Sequence, residues 1–448
     1  MKAMSGKRRI ACLVIAFTAA LPVIVVAAPE TPARVVIHCG TVIDPASSSQ
    51  PLTERSVIVE NGRVTAIEKG YVAASGDAQP IDLRAAFCMP GFIDSHTHLS
   101  MEFGRGAYLD KFVDGPADMA LKSSRAARVT LLAGFTSVRD LGSSEGVDVA
   151  LKRAIERGDV PGPRLFVATN SLSITGGHGD PIAGYREDLG HPDESDGVAD
   201  GVDSAIRATR IAIRRGADVI KLHATGGVLS VADSGSAPQF ALDEMQAIVA
   251  TAHDHGLKVA AHAHGDEGAR RAVVAGVSSI EHGTYLTAKT HELMKRDHVF
   301  LVPTVIAGIT VAENARTPDF FPPSVTAKAL QIGPLMVAAL NRAWQAGVPI
   351  AFGTDAGVYP HGLNGREFAY MVEAGLPPIE AIRAATQNAA ELLGKSADLG
   401  SLQPGHFADL VAVERNPLED IKVLQQVAFV MKQGRIYKAS GKPLPFGQ

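Results

Sequence analysis

The chain has 448 residues, a net charge of −4, 46% hydrophobic residues and 20% charged residues. That length suits one large barrel with an accessory unit, and the composition is that of a globular protein with a sizeable core. No extended basic run lies beyond the N-terminus, which argues against nucleic acid as a partner.

Lys2, Lys7, Arg8 and Arg9 precede an almost wholly apolar run at 10–26, followed by Ala27-Ala28-Pro29. This order is expected of a secretory signal peptide, residues 1–27, and of a periplasmic or secreted protein with no stable membrane span once it is removed. Cleavage is placed after Ala27, because after Ala28 a proline would directly follow the scissile bond. An uncleaved anchor is the alternative, since the run is nearly long enough to span a bilayer. Of three cysteines, Cys12 leaves with the signal. Cys39 and Cys88 remain, and their separation does not establish a bridge. No Cys-rich pattern exists, so a metal would be held by nitrogen and oxygen.

From residue 34 to 82 the pattern is short strands: Val35-Val36-Ile37-His38, Ser56-Val57-Ile58-Val59-Glu60, an Asn61-Gly62 turn and Arg63-Val64-Thr65-Ala66-Ile67. Asn-Gly between β-rich runs predicts a hairpin. An apolar run after Pro90-Gly91 then ends in His96-Thr97-His98. Side chains alternate along a strand, so His96 and His98 converge on one side of a strand end. Two convergent imidazoles begin a metal site, although a bare His-x-His is more often an ordinary buried histidine beside a loop.

A helix–glycine–strand pattern then recurs. Gly134, Gly158, Gly216, Gly256, Gly276 and Gly347 each stand between a helical stretch and a short apolar run. A glycine there takes the left-handed conformation that ends a helix. The runs are continuous, as expected of strands buried on both faces of a parallel sheet. With the His-x-His strand and Val299-Phe300-Leu301-Val302-Pro303 there are eight, which predicts an α/β fold with a (β/α)8 TIM-like barrel over 89–400. A doubly wound open sheet is the alternative, but no Gly-x-Gly-x-x-Gly follows the first strand. The tail returns to β in Phe407-Ala408-Asp409-Leu410-Val411-Ala412-Val413, Val427-Ala428-Phe429-Val430-Met431 and Arg435-Ile436-Tyr437. A small β-sandwich-like domain built from both chain ends, 28–88 and 401–448, is expected.

Barrel enzymes place their chemistry at the C-terminal strand ends. Here those ends carry His96 and His98, Lys221, His262 with His264, Glu281-His282 and Asp355. Five strands that each end in a metal-compatible group make a joint signal that no single one makes. Lys221 stands apart, because an ammonium has no lone pair for a metal and is ordinarily a salt bridge or a substrate contact. Carboxylated by CO₂, it becomes an anion able to bridge two cations. His191, His253, His255, His291 and His298 fall on helices or surface loops and are read as structural.

On these residues the chain closely resembles the metal-dependent amidohydrolase superfamily. Met89-Pro90-Gly91-Phe92-Ile93-Asp94-Ser95-His96-Thr97-His98 is similar to its first-strand signature, Gly353-Thr354-Asp355 to its eighth, and Leu402-Gln403-Pro404-Gly405-His406-Phe407-Ala408-Asp409-Leu410 to its C-terminal pattern. Lys221-Leu222-His223-Ala224-Thr225-Gly226-Gly227, Ala261-His262-Ala263-His264-Gly265 and Ile280-Glu281-His282-Gly283 resemble the branch of imidazolonepropionase-like and prolidase-like dipeptidases and carboxypeptidases, including ochratoxin amidohydrolases.

The resemblance implies two divalent metal ions, zinc by default. His96 and His98 would bind the more buried one and His262 and His282 the second. Carboxylated Lys221 would bridge them, and Asp355 would complete the buried site. Spacing does not decide between His262 and His264; the resemblance favours His262 and leaves His264 for substrate. Asp355 would act as general base and then acid on a metal-activated water. His178, in the glycine-rich loop after the third strand, and Arg366, after the eighth, are the other expected substrate contacts. The expected substrate is a small-molecule linear amide, such as a dipeptide or N-acyl amino acid. A cyclic-amide hydrolase and a non-catalytic binding relative are the alternatives, and a homo-oligomer is compatible with the sequence.

Overall fold

A computed structural model of the chain describes residues 34–446, apart from 49, 77, 111 and 232–233. The expected signal segment, 1–27, lies outside the described residues. Chain entry is through β1 (Arg34–Val42), β2 (Leu52–Glu60), β3 (Arg63–Lys69) and β4 (Gln79–Pro90). Asn61 and Gly62 have φ of 51° and 76°, as a two-residue hairpin turn between β2 and β3 requires. β1 pairs antiparallel with β2 and parallel with β4.

That pairing brings Cys39 and Cys88 together as a disulfide, with a Cα–Cα distance of 6.0 Å and a sequence separation of 49. Both cysteines are fully buried. Closing a loop of that length restricts the unfolded chain, so replacing both cysteines by alanine is expected to cost about 2–4 kcal/mol of stability. Chemical denaturation with the bridge intact and with it removed checks this; equal midpoints would contradict it.

At Gly91 the chain leaves β4 for β5 (Phe92–Thr97). A Cβ at Gly91 would stand 2.2 Å from Thr136 Oγ1, so only glycine permits the approach. The units that follow are α1 (Ala107–Asp110), α2 (Pro116–Leu132), β6 (Phe135–Asp140), α3 (Val147–Arg157), β7 (Arg164–Val167), α4 (Val202–Arg215) and β8 (Val219–His223). After them come α5 (Leu242–Asp254), β9 (Lys258–Ala263), α6 (Asp266–Ala275), β10 (Ser279–His282), α7 (Ala288–Arg296) and β11 (Phe300–Val302). The helices before the tail are α8 (Val305–Asn314), α9 (Pro323–Ile332), α10 (Met336–Gln345), α11 (Glu367–Glu373), α12 (Pro378–Arg383) and α13 (Ala389–Leu392). All six glycines expected to end helices have positive φ, from 69° at Gly256 to 104° at Gly216.

β5, β6 and β7 form one parallel sheet, and β8 to β11 a second. Isolated parallel bridges join them at both edges. Leu172 pairs with Leu222 on one side, and on the other Leu301 pairs with Ile350 and Thr97 with Ala356. The eighth expected strand, 348–352, is therefore not a regular strand. Pro349 and Ala351 face β11 together, and Pro349 has no N–H to extend the ladder. The segment still lies between its neighbours. Ala351 N donates to Leu301 O at 3.0 Å, Ser95 N to Phe352 O at 2.9 Å, and Asp355 N to His96 O at 2.7 Å.

The tail contributes β12 (Leu410–Val413), β13 (Phe429–Lys432), β14 (Arg435–Ala439) and β15 (Lys442–Pro443). β12 pairs antiparallel with β4, Ala412 opposite Cys88, so both chain ends share one sheet of order β15-β14-β13-β12-β4-β1-β2-β3. The expected sandwich-like pair of layers is thus hydrogen-bonded as one continuous sheet, because β4 has a partner on each edge. Its buried residues, such as Ile37, Val57, Leu410 and Met431, form a cluster separate from the main core. Among the described residues no helix is long and apolar enough to cross a membrane.

Candidate metal centre

The parallel strands deliver their chemistry at their C-terminal ends. His96 lies near the end of β5 with His98 just beyond it, Lys221 and His223 end β8, His262 lies near the end of β9 with His264 just beyond it, and His282 ends β10. Asp355 follows the irregular eighth segment. All eight line one cavity of about 720 Å³. His96 is 1% exposed, Lys221 2% and Asp355 9%, so each polar atom here needs a partner other than bulk water.

The histidine rings are held by their rear nitrogens. His96 Nδ1–H donates to Glu281 Oε2 at 2.9 Å, and His98 Nδ1–H donates to Gly142 O at 3.1 Å. Their Nε2 lone pairs therefore face the cavity, 3.4 and 3.3 Å from Asp355 Oδ1. That oxygen is buried and has no hydrogen-bond partner. His282 Nδ1 is bonded to Thr304 Oγ1 at 2.6 Å, while His262 donates from Nε2 to Gly226 O at 3.0 Å and keeps Nδ1 for the cavity. Ligand atoms of His96, His282 and Asp355 lie within 4.8 Å of one another, as do those of His262, His264 and His282. Buried imidazole nitrogens and a carboxylate oxygen that converge in this way fit a divalent cation, and a nitrogen-and-carboxylate set suits zinc.

Electrostatics follow from burial. It lowers His96 to about 4, His178 to about 3 and His264 to about 4, so these rings are neutral at pH 7. Burial would raise Asp355, but His96 and His98 beside it hold the carboxyl well below the usual range. Lys221 is brought down by burial to about 8. His282, Thr304 and Asp355 have φ of 73°, 49° and 59°, conformations that cost non-glycine residues of order 1–3 kcal/mol each. At Thr304 the surroundings hold it there: Glu367 accepts Val305 N at 2.9 Å and Ile306 N at 2.8 Å, anchoring the start of α8 next to it.

Sequence reasoning missed the support behind His96. Arg139, 1% exposed on β6, donates from Nε to Ser95 O at 2.6 Å, from Nη1 to Ser279 Oγ at 3.1 Å and from Nη2 to Glu281 Oε1 at 2.9 Å. Burial would raise Glu281, yet Arg139 and His96 bring it to about 2. Glu281→Gln leaves the Arg139 charge uncompensated, and about 3–5 kcal/mol of stability should be lost. Metal affinity should fall about 10- to 100-fold through His96. Thermal unfolding and chelator competition measure the two effects, and wild-type values in both would remove Glu281 from this role. His223 was also missed; Lys221-x-His223 repeats the same-face spacing of His-x-His.

His178 lines the cavity, its ring centroid 4.5 Å from that of His262 and 4.9 Å from that of His223. His264 also lines it and is bonded through Nδ1 to Thr284 Oγ1 at 2.8 Å. Arg366 requires a correction. It ends the short turn Asn364–Arg366 and is not among the cavity-lining residues. The side chain of that turn directed at the site's supports is Asn364, whose amide donates to Asp94 Oδ2 at 2.8 Å.

Comparison with known proteins agrees with this geometry. Residues 87–437 match the amidohydrolase family. Ochratoxinase from Aspergillus niger is 34% identical over 446 residues, covering 93% of this chain and 89% of its own. The crystal structure of a Xaa-Pro dipeptidase with bound methionine in the active site is 41% identical, with a TM-score of 0.87 over 91% of this chain and all of that one. A prolidase complexed with N-methylphosphonate-L-proline is 33% identical, with a TM-score of 0.83 and the same coverage. The histidine-lined cavity at parallel strand ends thus has a family to account for it: the chain belongs to the amidohydrolase family and is a hydrolase of carbon–nitrogen bonds.

Proposed function

We propose that the protein is an exported binuclear amidohydrolase that releases an α-amino acid with a free carboxylate from a linear amide. In this reading the parallel strands close into one (β/α)8 barrel over 89–400, flanked by a composite β domain from 28–88 and 401–448. His96, His98 and Asp355 would hold one divalent cation and His262 and His282 a second, with carboxylated Lys221 as a ligand to both. When bound, such cations would supply an activated water and polarise the scissile carbonyl. Asp355 would accept a proton from the attacking water and pass it to the leaving nitrogen, a role for which the position of its unpartnered Oδ1 in the cavity suits it. His178 and His264 meet the substrate.

The observation that carries the reading is the buried Asp355 Oδ1, without a hydrogen-bond partner and faced by two imidazole nitrogens. Similarity to an ochratoxinase, a Xaa-Pro dipeptidase and a prolidase supports a peptide-like amide. The test has two parts. Metal analysis of the purified protein should return about two ions per chain. The kcat/KM for an N-acyl amino acid should exceed that for its C-terminal amide about tenfold or more, the value of one charged hydrogen bond to the carboxylate. Equal turnover of acid and amide would remove the carboxylate argument, and a strong preference for a lactam would favour a cyclic substrate.

A further inference from the structure

The space above the strand ends continues beyond the first cavity. A second one, of about 840 Å³, lies beside it and shares Ser100, Met101, Phe103, His178, Pro181 and Leu229 among its walls. The two are lobes of one space with His178 on the wall between them. The second lobe alone has the volume of a small-molecule site, about 300–1,000 Å³.

The lobes differ in chemistry. The first has an apolar wall that includes Val228, Ala307, Val311, Ile332 and Met336. The second is ringed by Glu102, Asp110, Asp114 and Asp180, with Glu145 on the wall it shares with the first, against Lys122 and Arg125. Lys122 is paired with Asp110 and Asp114, and Arg125 with Glu102, so carboxylates are in excess. His361, 8% exposed, also lines this lobe. Its Nε2–H donates to Met101 O at 2.9 Å, which leaves Nδ1 as a lone-pair acceptor on the neutral ring. That Nδ1 is buried and has no hydrogen-bond partner. A buried acceptor without a donor is costly, and a ligand bearing N–H or O–H relieves it.

We propose that the second lobe is a subsite for the acyl half of the substrate, and that the enzyme prefers amides whose acyl half is longer than one amino-acid residue and carries hydrogen-bond donors, as in a tri- or tetrapeptide. The proposal rests on the linear-amide reading above. Charge assigns the halves. The carboxylate of the leaving amino acid is repelled by the acidic ring, whereas the ammonium and amide N–H groups of a peptide's N-terminal side are attracted by it. The apolar wall of the first lobe is left for the leaving residue's side chain.

The test compares N-acetylphenylalanine, Gly-Phe and Gly-Gly-Phe on the metal-loaded enzyme. The kcat/KM should rise about tenfold from N-acetylphenylalanine to Gly-Gly-Phe, chiefly through KM. His361→Leu removes the acceptor and Ala107→Trp fills the lobe; each should shrink that preference about three- to tenfold. Equal kcat/KM for the two substrates, or a preference that survives both substitutions, overturns the proposal. Calorimetric titration of Asp355→Asn with the same compounds keeps them intact and reads the lobe without turnover. If the wild-type enzyme hydrolyses none of them, the linear-amide reading fails by itself. Tighter binding of Gly-Gly-Phe that His361→Leu abolishes would still uphold the lobe, and equal or absent binding would overturn it.

Discussion

Lys221→Ala should lose most of its metal and at least about a thousandfold in kcat/KM, since a carboxylated Lys221 would be the anion shared by the two cations. The residue is 2% exposed and lines the cavity together with His96, His98, His262, His282 and Asp355. An ammonium there would repel cations; a carbamate attracts them. Its formation joins the neutral amine to the carbon of CO₂ and releases one proton. Burial brings Lys221 from 10.5 to about 8, so the neutral share is about one-half at pH 8 and about one in a hundred at pH 6. Reconstitution of metal-free protein with zinc and bicarbonate should therefore run faster as pH rises from 6 to 8. A short carboxylic acid should restore part of the activity of Lys221→Ala by standing in for the carbamate. Full activity and full metal content in Lys221→Arg would show that no bridge is needed, because a guanidinium does not form a carbamate.

Asp355→Asn is the second large effect, with kcat expected to fall about 10²- to 10⁴-fold and KM to change little, as is usual for loss of a positioned general base. The amide keeps the shape of the carboxylate and one oxygen that can face a cation, so folding should be retained. What disappears is the negative charge that His96 and His98 hold in place. The readouts are kcat, KM and the low-pH limb of kcat/KM, together with metal content. A kcat within threefold of wild type would move the proton-transfer role to another residue, with His264 next to be tested because it lines the same cavity with a neutral ring.

Much of the site was legible from local rules. His96 and His98 converge because strand side chains alternate, and the structure places His96 on β5 and His98 just past its end, with Nε2 of both turned to one carboxylate oxygen. The glycines that end helices, the Asn61-Gly62 hairpin and the tail strands are equally local, since each depends on φ at one or two residues or on a run of apolar side chains. Tertiary structure alone decided the rest. Arg139, Ser279, Glu281 and His96 come from three strands and meet only when the parallel sheets form, so no spacing announces that network. The partner of Cys39 was decided by the parallel pairing of β1 with β4, a register that two cysteines 49 residues apart do not encode. The reverse holds for Arg366, a charge after the eighth segment that ends a tight turn and is not among the residues lining the cavity. Periodicity specifies which face a side chain takes on its own element. Which elements face one another is set by long-range packing, and that is where the supports of this site lie.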